Sequence, residues 1–74
     1  MNSYRRKQLA KIIDLLEEAY IILDEVKDDE EEAYNSIPES LQETERGEQM
    51  YENIEQMDDF YDQLTDICDA LGAM

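Results

Sequence analysis

The residues of this chain able to do chemistry are overwhelmingly carboxylates. Asp and Glu fill 21 of the 74 positions, against six Lys or Arg and no His, for a formal charge of −15. Without His the chain lacks the commonest general base and the commonest transition-metal ligand. A Glu-x-x-His di-iron pattern is impossible for the same reason. The densest acid run, Asp28-Asp-Glu-Glu-Glu32, lacks the alternating spacing and the distal Glu of a calcium-binding loop. On a helix its carboxylates point in several directions, as a solvated face does, leaving only weak divalent binding open to it. Asp58 and Asp62 form a carboxylate pair, but glycoside chemistry needs a cleft around the sugar, which a short helical chain does not supply. Cys68 has no His partner, and on an apolar stripe it reads as a buried structural thiol. The two glycines exclude a Gly-rich phosphate loop. No catalytic residue, metal ligand or cofactor site is assigned, and the chain reads as non-enzymatic.

The charge has consequences of its own. A strongly acidic chain is repelled by nucleic acid and by anionic membranes, and it favours basic partners. Arg5, Arg6, Lys7 and Lys11 imitate the start of a signal peptide, but Asp14, Glu17 and Glu18 interrupt the segment that follows. No apolar run approaches the ~18 residues of a membrane span. A single Cys excludes an internal disulfide, and a reducing cytoplasm is the simplest setting.

These side chains need elements to position them. Leu9, Ile12, Leu16, Ala19, Leu23 and Val26 recur in steps of three and four, which is the a/d seam of a helix packed on other helices. Ile13 and Tyr20 widen the seam on one flank, and Leu15 and Ile22 on the other. The spacing predicts a first helix over about 3–34, capped by Asn2 or Ser3, with Glu30 weakening the seam. Asn35 suits a left-handed C-cap, and Pro38 forces Ile37 out of the helical region. Ser36 with Glu39, and Ser40 with Glu43, read as capping boxes around a short helical turn in the connection, about 35–43. Met50, Ile54, Met57, Tyr61, Leu64, Cys68 and Leu71 carry a second seam on a helix over about 44–71. Gly72 stands where a C-cap belongs. Gly47 marks either a frayed first turn or a close approach of the helices.

Two long helices with a short connection make an all-α antiparallel hairpin. That direction sets Arg5, Arg6 and Lys7 near Asp62, Asp66 and Asp69, groups that each oppose their own helix dipole. It also brings Glu30 toward Arg46 and Gly47. One seam is a small core for a chain below ~70–80 residues. The spare flanks Ile13, Leu15, Tyr20, Ile22, Phe60 and Ile67 therefore predict a homodimer, a four-helix bundle. Tyr20, Tyr34 and Tyr51 fall at the edge of the seams, placed either for oligomer packing or as hot spots for a partner.

The segment Asn35-Ser-Ile-Pro-Glu-Ser-Leu-Gln-Glu-Thr-Glu-Arg-Gly-Glu, with the opening Tyr4-Arg-Arg-Lys-Gln-Leu and the acid run, resembles small acidic helical-hairpin proteins of gut Firmicutes and their phages or mobile elements. The resemblance covers most of the chain and implies a helical hairpin in a mobile-element setting. It assigns no functional residue, and the second helix here is richer in Met, Tyr and Phe than that group.

Two functions from different classes follow. One is a protein-binding inhibitor that mimics nucleic acid and occupies a basic site on a nucleic-acid-binding protein. Carboxylates three and four apart on a helix stand ~5–6 Å from one another, the order of spacing such mimicry needs. Its partner-binding residues are Asp28, Asp29, Glu31, Glu32, Glu45, Glu48, Glu52, Asp59 and Asp62, with Tyr20, Tyr34 and Tyr51 as the apolar contacts. The other is a self-assembling structural bundle with no further partner.

Overall fold

The computed structural model describes residues 1–74 as three helices: α1 (Ser3–Ser36), α2 (Glu39–Gln42) and α3 (Glu45–Gly72). α1 and α3 run antiparallel as a hairpin 58 Å long and 14 by 13 Å across. Neither is long and apolar enough to cross a membrane.

The helix ends follow local chemistry. Asn2 Oδ1 accepts the Arg5 N–H at 2.8 Å, satisfying one of the free donors of the first turn. α1 runs two residues beyond its predicted end, because Asn35 stays helical and no residue adopts positive φ. Ile37 breaks the helix at φ −85°, ψ 149°, the extended conformation a following proline imposes. Neither capping box forms. Ser36 Oγ donates back to the Glu32 carbonyl at 2.7 Å, and Pro38 precedes α2 without a side-chain cap. Thr44 caps α3 instead, its hydroxyl accepting the Gly47 N–H at 3.3 Å. The Gln42 amide ties the elbow, donating to the Tyr34 carbonyl at 3.1 Å and the Ile37 carbonyl at 3.4 Å. Gly72 is the last residue of α3, not a left-handed cap.

The seam of α3 is the one its spacing predicts, with Met50, Ile54, Met57, Tyr61, Leu64, Cys68 and Leu71 turned inward. The seam of α1 is rotated by one position. Leu9, Leu16 and Leu23 remain in it, but Ile13, Tyr20, Lys27 and Tyr34 share it in place of Ile12, Ala19 and Val26. Ile12 and Val26 are left 44% and 49% exposed. A single partner helix covers only part of an apolar arc this wide, and the larger side chains take the covered part. Tyr20 meets Tyr61 edge-on at 5.3 Å and 79°, and Tyr34 meets Tyr51 at 5.9 Å. Such offset aromatic pairs add ~0.5–1.5 kcal/mol beyond their burial. Cys68 Sγ reaches the Ile13 carbonyl at 3.6 Å, as a weak donor.

These contacts fix the register and correct two expectations. Glu30 lies beside Asn53 and Met57, one helical turn and more from Arg46. Arg5, Arg6 and Lys7 make no ion pair with Asp62, Asp66 or Asp69, because the first turn of α1 lies level with the very end of α3. Gly47 marks a close approach, made by α2 and not by α1: a Cβ there would stand 2.6 Å from the Leu41 carbonyl oxygen. Only Gly47 and Cys68 are buried, and no side chain is fully so. The isolated hairpin has a seam and hardly a core.

Candidate functional site

Steps of three and four divide nearly all of α3 into three stripes, two of them nearly opposite one another and the third about a quarter of a turn from both. The seam is one. The second is an unbroken row of acids: Glu45, Glu48, Glu52, Glu55, Asp59, Asp62, Asp66 and Asp69. All eight are exposed. Neighbours in the row are three or four residues apart, ~5–6 Å between their Cβ atoms, and the row spans ~36 Å. The five expected site residues on this helix all belong to it. Glu55, Asp66 and Asp69 belong to it equally and were not among those expected, although the same spacing contains them.

The expected acids of α1 do not all share one face. Successive residues of an α-helix diverge by ~100°, so Asp28-Asp-Glu-Glu-Glu32 faces several ways at once. Asp28, Glu31 and Glu32 share a side with Asp14, Glu17 and Asp24, whereas Asp29 stands apart, in the row that carries Leu15 and Ile22. The nearness of these acids to α3 is visible at the seam. Lys27 Nζ contacts Asp58 at 3.3 Å and Asp24 at 3.9 Å, the only ion pairs in the molecule. The Asp58 hydrogen bond, with the carboxylates of Asp24 and Asp28 beside it, raises the Lys27 ammonium above its ordinary value. Loss of water pushes the Cys68 thiol up, and Glu17, Asp69 and Asp14 push it further. Loss of water and the field of Glu17 raise the Tyr20 hydroxyl. One side of the hairpin is therefore acidic on both helices.

The three tyrosines separate. Tyr20 belongs to the seam. Tyr34 and Tyr51 wall a hollow with Gln42, Glu43, Glu48 and Glu52 at the elbow, so their rings border the upper end of the acid row. Hydrogen bonding to the Glu55 carboxylate raises the Tyr51 hydroxyl.

The third stripe of α3 carries no charged side chain: Gln49, Asn53, Gln56, Phe60, Gln63, Ile67 and Ala70, with Met74 following beyond the helix end. α1 has its counterpart in Gln8, Ile12, Leu15, Ala19, Ile22 and Val26. Val26 lines one hollow with Asn53, Gln56 and Phe60, and Ile12 lines another with Met74, so both stripes share one side of the hairpin. Leu15, Ile22, Phe60 and Ile67 stand 50–56% exposed on it. Of the flanks expected to pair in a dimer, these four are free, while Ile13 and Tyr20 are spent inside the seam.

No three His, Cys, Asp or Glu side chains converge closely enough to hold a metal ion. Comparison with protein-family models, with curated proteins and with solved structures finds no match to this chain.

Proposed function

We propose that this chain is a non-enzymatic protein-binding module whose acidic side occupies a basic, nucleic-acid-binding groove on another protein. The unbroken carboxylate row of α3 is the observation that carries the reading. A row with one charge every 3.5 residues places a negative charge every ~5.3 Å along the axis, against one per ~3.4 Å along a DNA strand. That is about two-thirds of the strand's linear charge density, held on a rigid helix. A side with hardly any compensating base has a field that speeds encounter with a positive groove at low salt. Tyr34 and Tyr51, at the elbow end of the row, supply the amphipathic rings that anchor interfaces. Two hairpins pair as a homodimeric four-helix bundle, which gives the exposed seam edges the cover they lack. The buried single thiol suits a reducing cytoplasm, and the resemblance implies a phage or mobile-element setting.

A self-assembling bundle that binds nothing else is the second reading, favoured by the uncharged side. Competition separates the two. Protein captured from a host lysate on the immobilised chain is identified, purified and titrated with labelled duplex DNA. The chain is expected to displace the DNA competitively, with an affinity that weakens as salt rises. A captured protein that holds DNA and the chain together, or capture of nothing but more of the same chain, overturns the mimic.

A further inference from the structure

We propose that the uncharged side of the hairpin is covered by a second copy of the chain, laid antiparallel about a two-fold axis at Ala19. This rests on the bundle reading above and adds the face, the direction and the register.

Charge selects the face. Two copies of net charge −15 repel, and burying a charge without a partner is prohibitively costly. The stripe from Gln8 to Val26 and the full-length stripe of α3 are the surface on which two copies touch without burying like charges. A basic partner finds no charge to pair with there and is drawn to the acid row on the other side. With Tyr20 against Tyr61, Gln63 lies close to the level of Ala19, so its amide, which carries both donors and acceptors, meets its own copy across the axis. The hairpin as a whole is 58 Å long and 14 Å wide, and the uncharged stripes run ~27 Å along α1 (Gln8 to Val26) and ~32 Å along α3 (Gln49 to Ala70).

Charge also selects the direction. A parallel pair would bring the two acid-rich elbows together and the two basic starts together. An antiparallel pair sets Arg6 and Lys7 of each copy level with Glu31 and Glu32 of the other. The apolar stripe of α1 is nearly symmetric about Ala19, with Ile12 and Val26 seven residues away on either side. Reflection through Ala19 sets Ile12 level with the second copy's Val26 and leaves a small side chain at the crossing. Asp29 interrupts the stripe beyond Val26, and the same reflection places it level with the basic start of the other copy. Both acid rows then face outward, on opposite sides of one bundle.

Ile21 and Ile22 supply a matched test. They are adjacent and 54% and 51% exposed, yet Ile21 sits among Glu17, Asp24 and Asp28 while Ile22 sits in the uncharged stripe. Sedimentation is run on the wild type, Ile21→Asp and Ile22→Asp at one concentration, beside mild oxidation of Ala19→Cys. Wild type and Ile21→Asp are expected at dimer mass, with the dimer dissociation constant of Ile22→Asp raised at least ~100-fold by two buried charges. Ala19→Cys is expected to form a disulfide dimer, which the wild type, with Cys68 buried, does not. A dimer that survives Ile22→Asp, or an Ala19→Cys that does not cross-link, refutes the face while the bundle stands. A helical wild type of monomer mass at high micromolar concentration refutes the bundle itself.

Discussion

Gly47→Ala should destabilise this protein, against the usual benefit of replacing a helical glycine. A Cβ at position 47 would stand 2.6 Å from the Gln42 carbonyl carbon and from the Leu41 carbonyl oxygen, and nearer still to the Gln42 oxygen. Favourable contacts between carbons lie at ~3.5–4.0 Å, so the elbow must retreat by about 1 Å. The atoms in the way are backbone, held by the two bonds from the Gln42 amide to the end of α1, and cannot rotate aside. Overpacking of this kind costs ~1–3 kcal/mol. The opposing gain in helix propensity is at most ~1 kcal/mol, and smaller in a first turn. A net loss of roughly 1–2 kcal/mol lowers Tm by about 5–15 °C for a domain of this size. Gly72→Ala is the control, because nothing lies within 4 Å of its Cβ. It should leave Tm unchanged or raise it by a few degrees. Thermal unfolding followed by circular dichroism measures both, at one protein concentration, since association would otherwise shift Tm. A Gly47→Ala variant as stable as wild type would refute the close packing of α2 on α3.

Three further outcomes are expected. The pKa values of Cys68, Tyr20, Tyr51 and Lys27 are all raised on folding. Each favours the protonated form in the folded state, so its stabilisation is complete below the ordinary value and is lost as pH rises through the raised one. Tm should hold steady across neutral pH and fall once pH passes 9.0, the ordinary thiol value; a Tm that climbs in that range would reverse the sign of these shifts. Like charges three and four apart on a helix repel by a few tenths of a kcal/mol per pair, so added salt should raise Tm by screening the row of α3. A fall in Tm with salt would mean that the Lys27 pairs outweigh it. A double-mutant cycle with Tyr20→Leu and Tyr61→Leu should return a coupling of ~0.5–1.5 kcal/mol, and additive losses would mean that the rings do not interact.

Much of this architecture is legible in the sequence. Both long helices, the short turn between them and the break at Ile37-Pro38 follow from spacing and from proline. The rotation of α1 is not legible, because its apolar arc runs continuously from Ile22 round to Tyr20 and spacing alone does not say which part a partner takes. That choice depends on pairs across the hairpin, Tyr20 on Tyr61 and Tyr34 on Tyr51, which have no local signature. The caps failed where Ser36 had a nearer acceptor in the preceding turn of α1. At the site, the dense run Asp28–Glu32 draws the eye, yet consecutive helical residues diverge. The sparser acids of α3 align because they recur every three or four residues, and Glu55, Asp66 and Asp69 become visible once that test is applied to charges as well as to apolar residues.

The carboxylate row is tested most directly by reversing it. Glu52, Glu55, Asp59 and Asp62 are exposed, and Lys is a good helix former, so changing all four to Lys leaves the seam and the uncharged side intact. The measurement is the affinity of the variant and of wild type for the captured nucleic-acid-binding protein, in dilute and in physiological salt. Wild-type affinity should weaken at least tenfold between the two buffers, and the helical variant should lose at least ~100-fold and most of that salt dependence. A folded variant that binds as tightly as wild type would contradict the account and move recognition to Tyr34 and Tyr51.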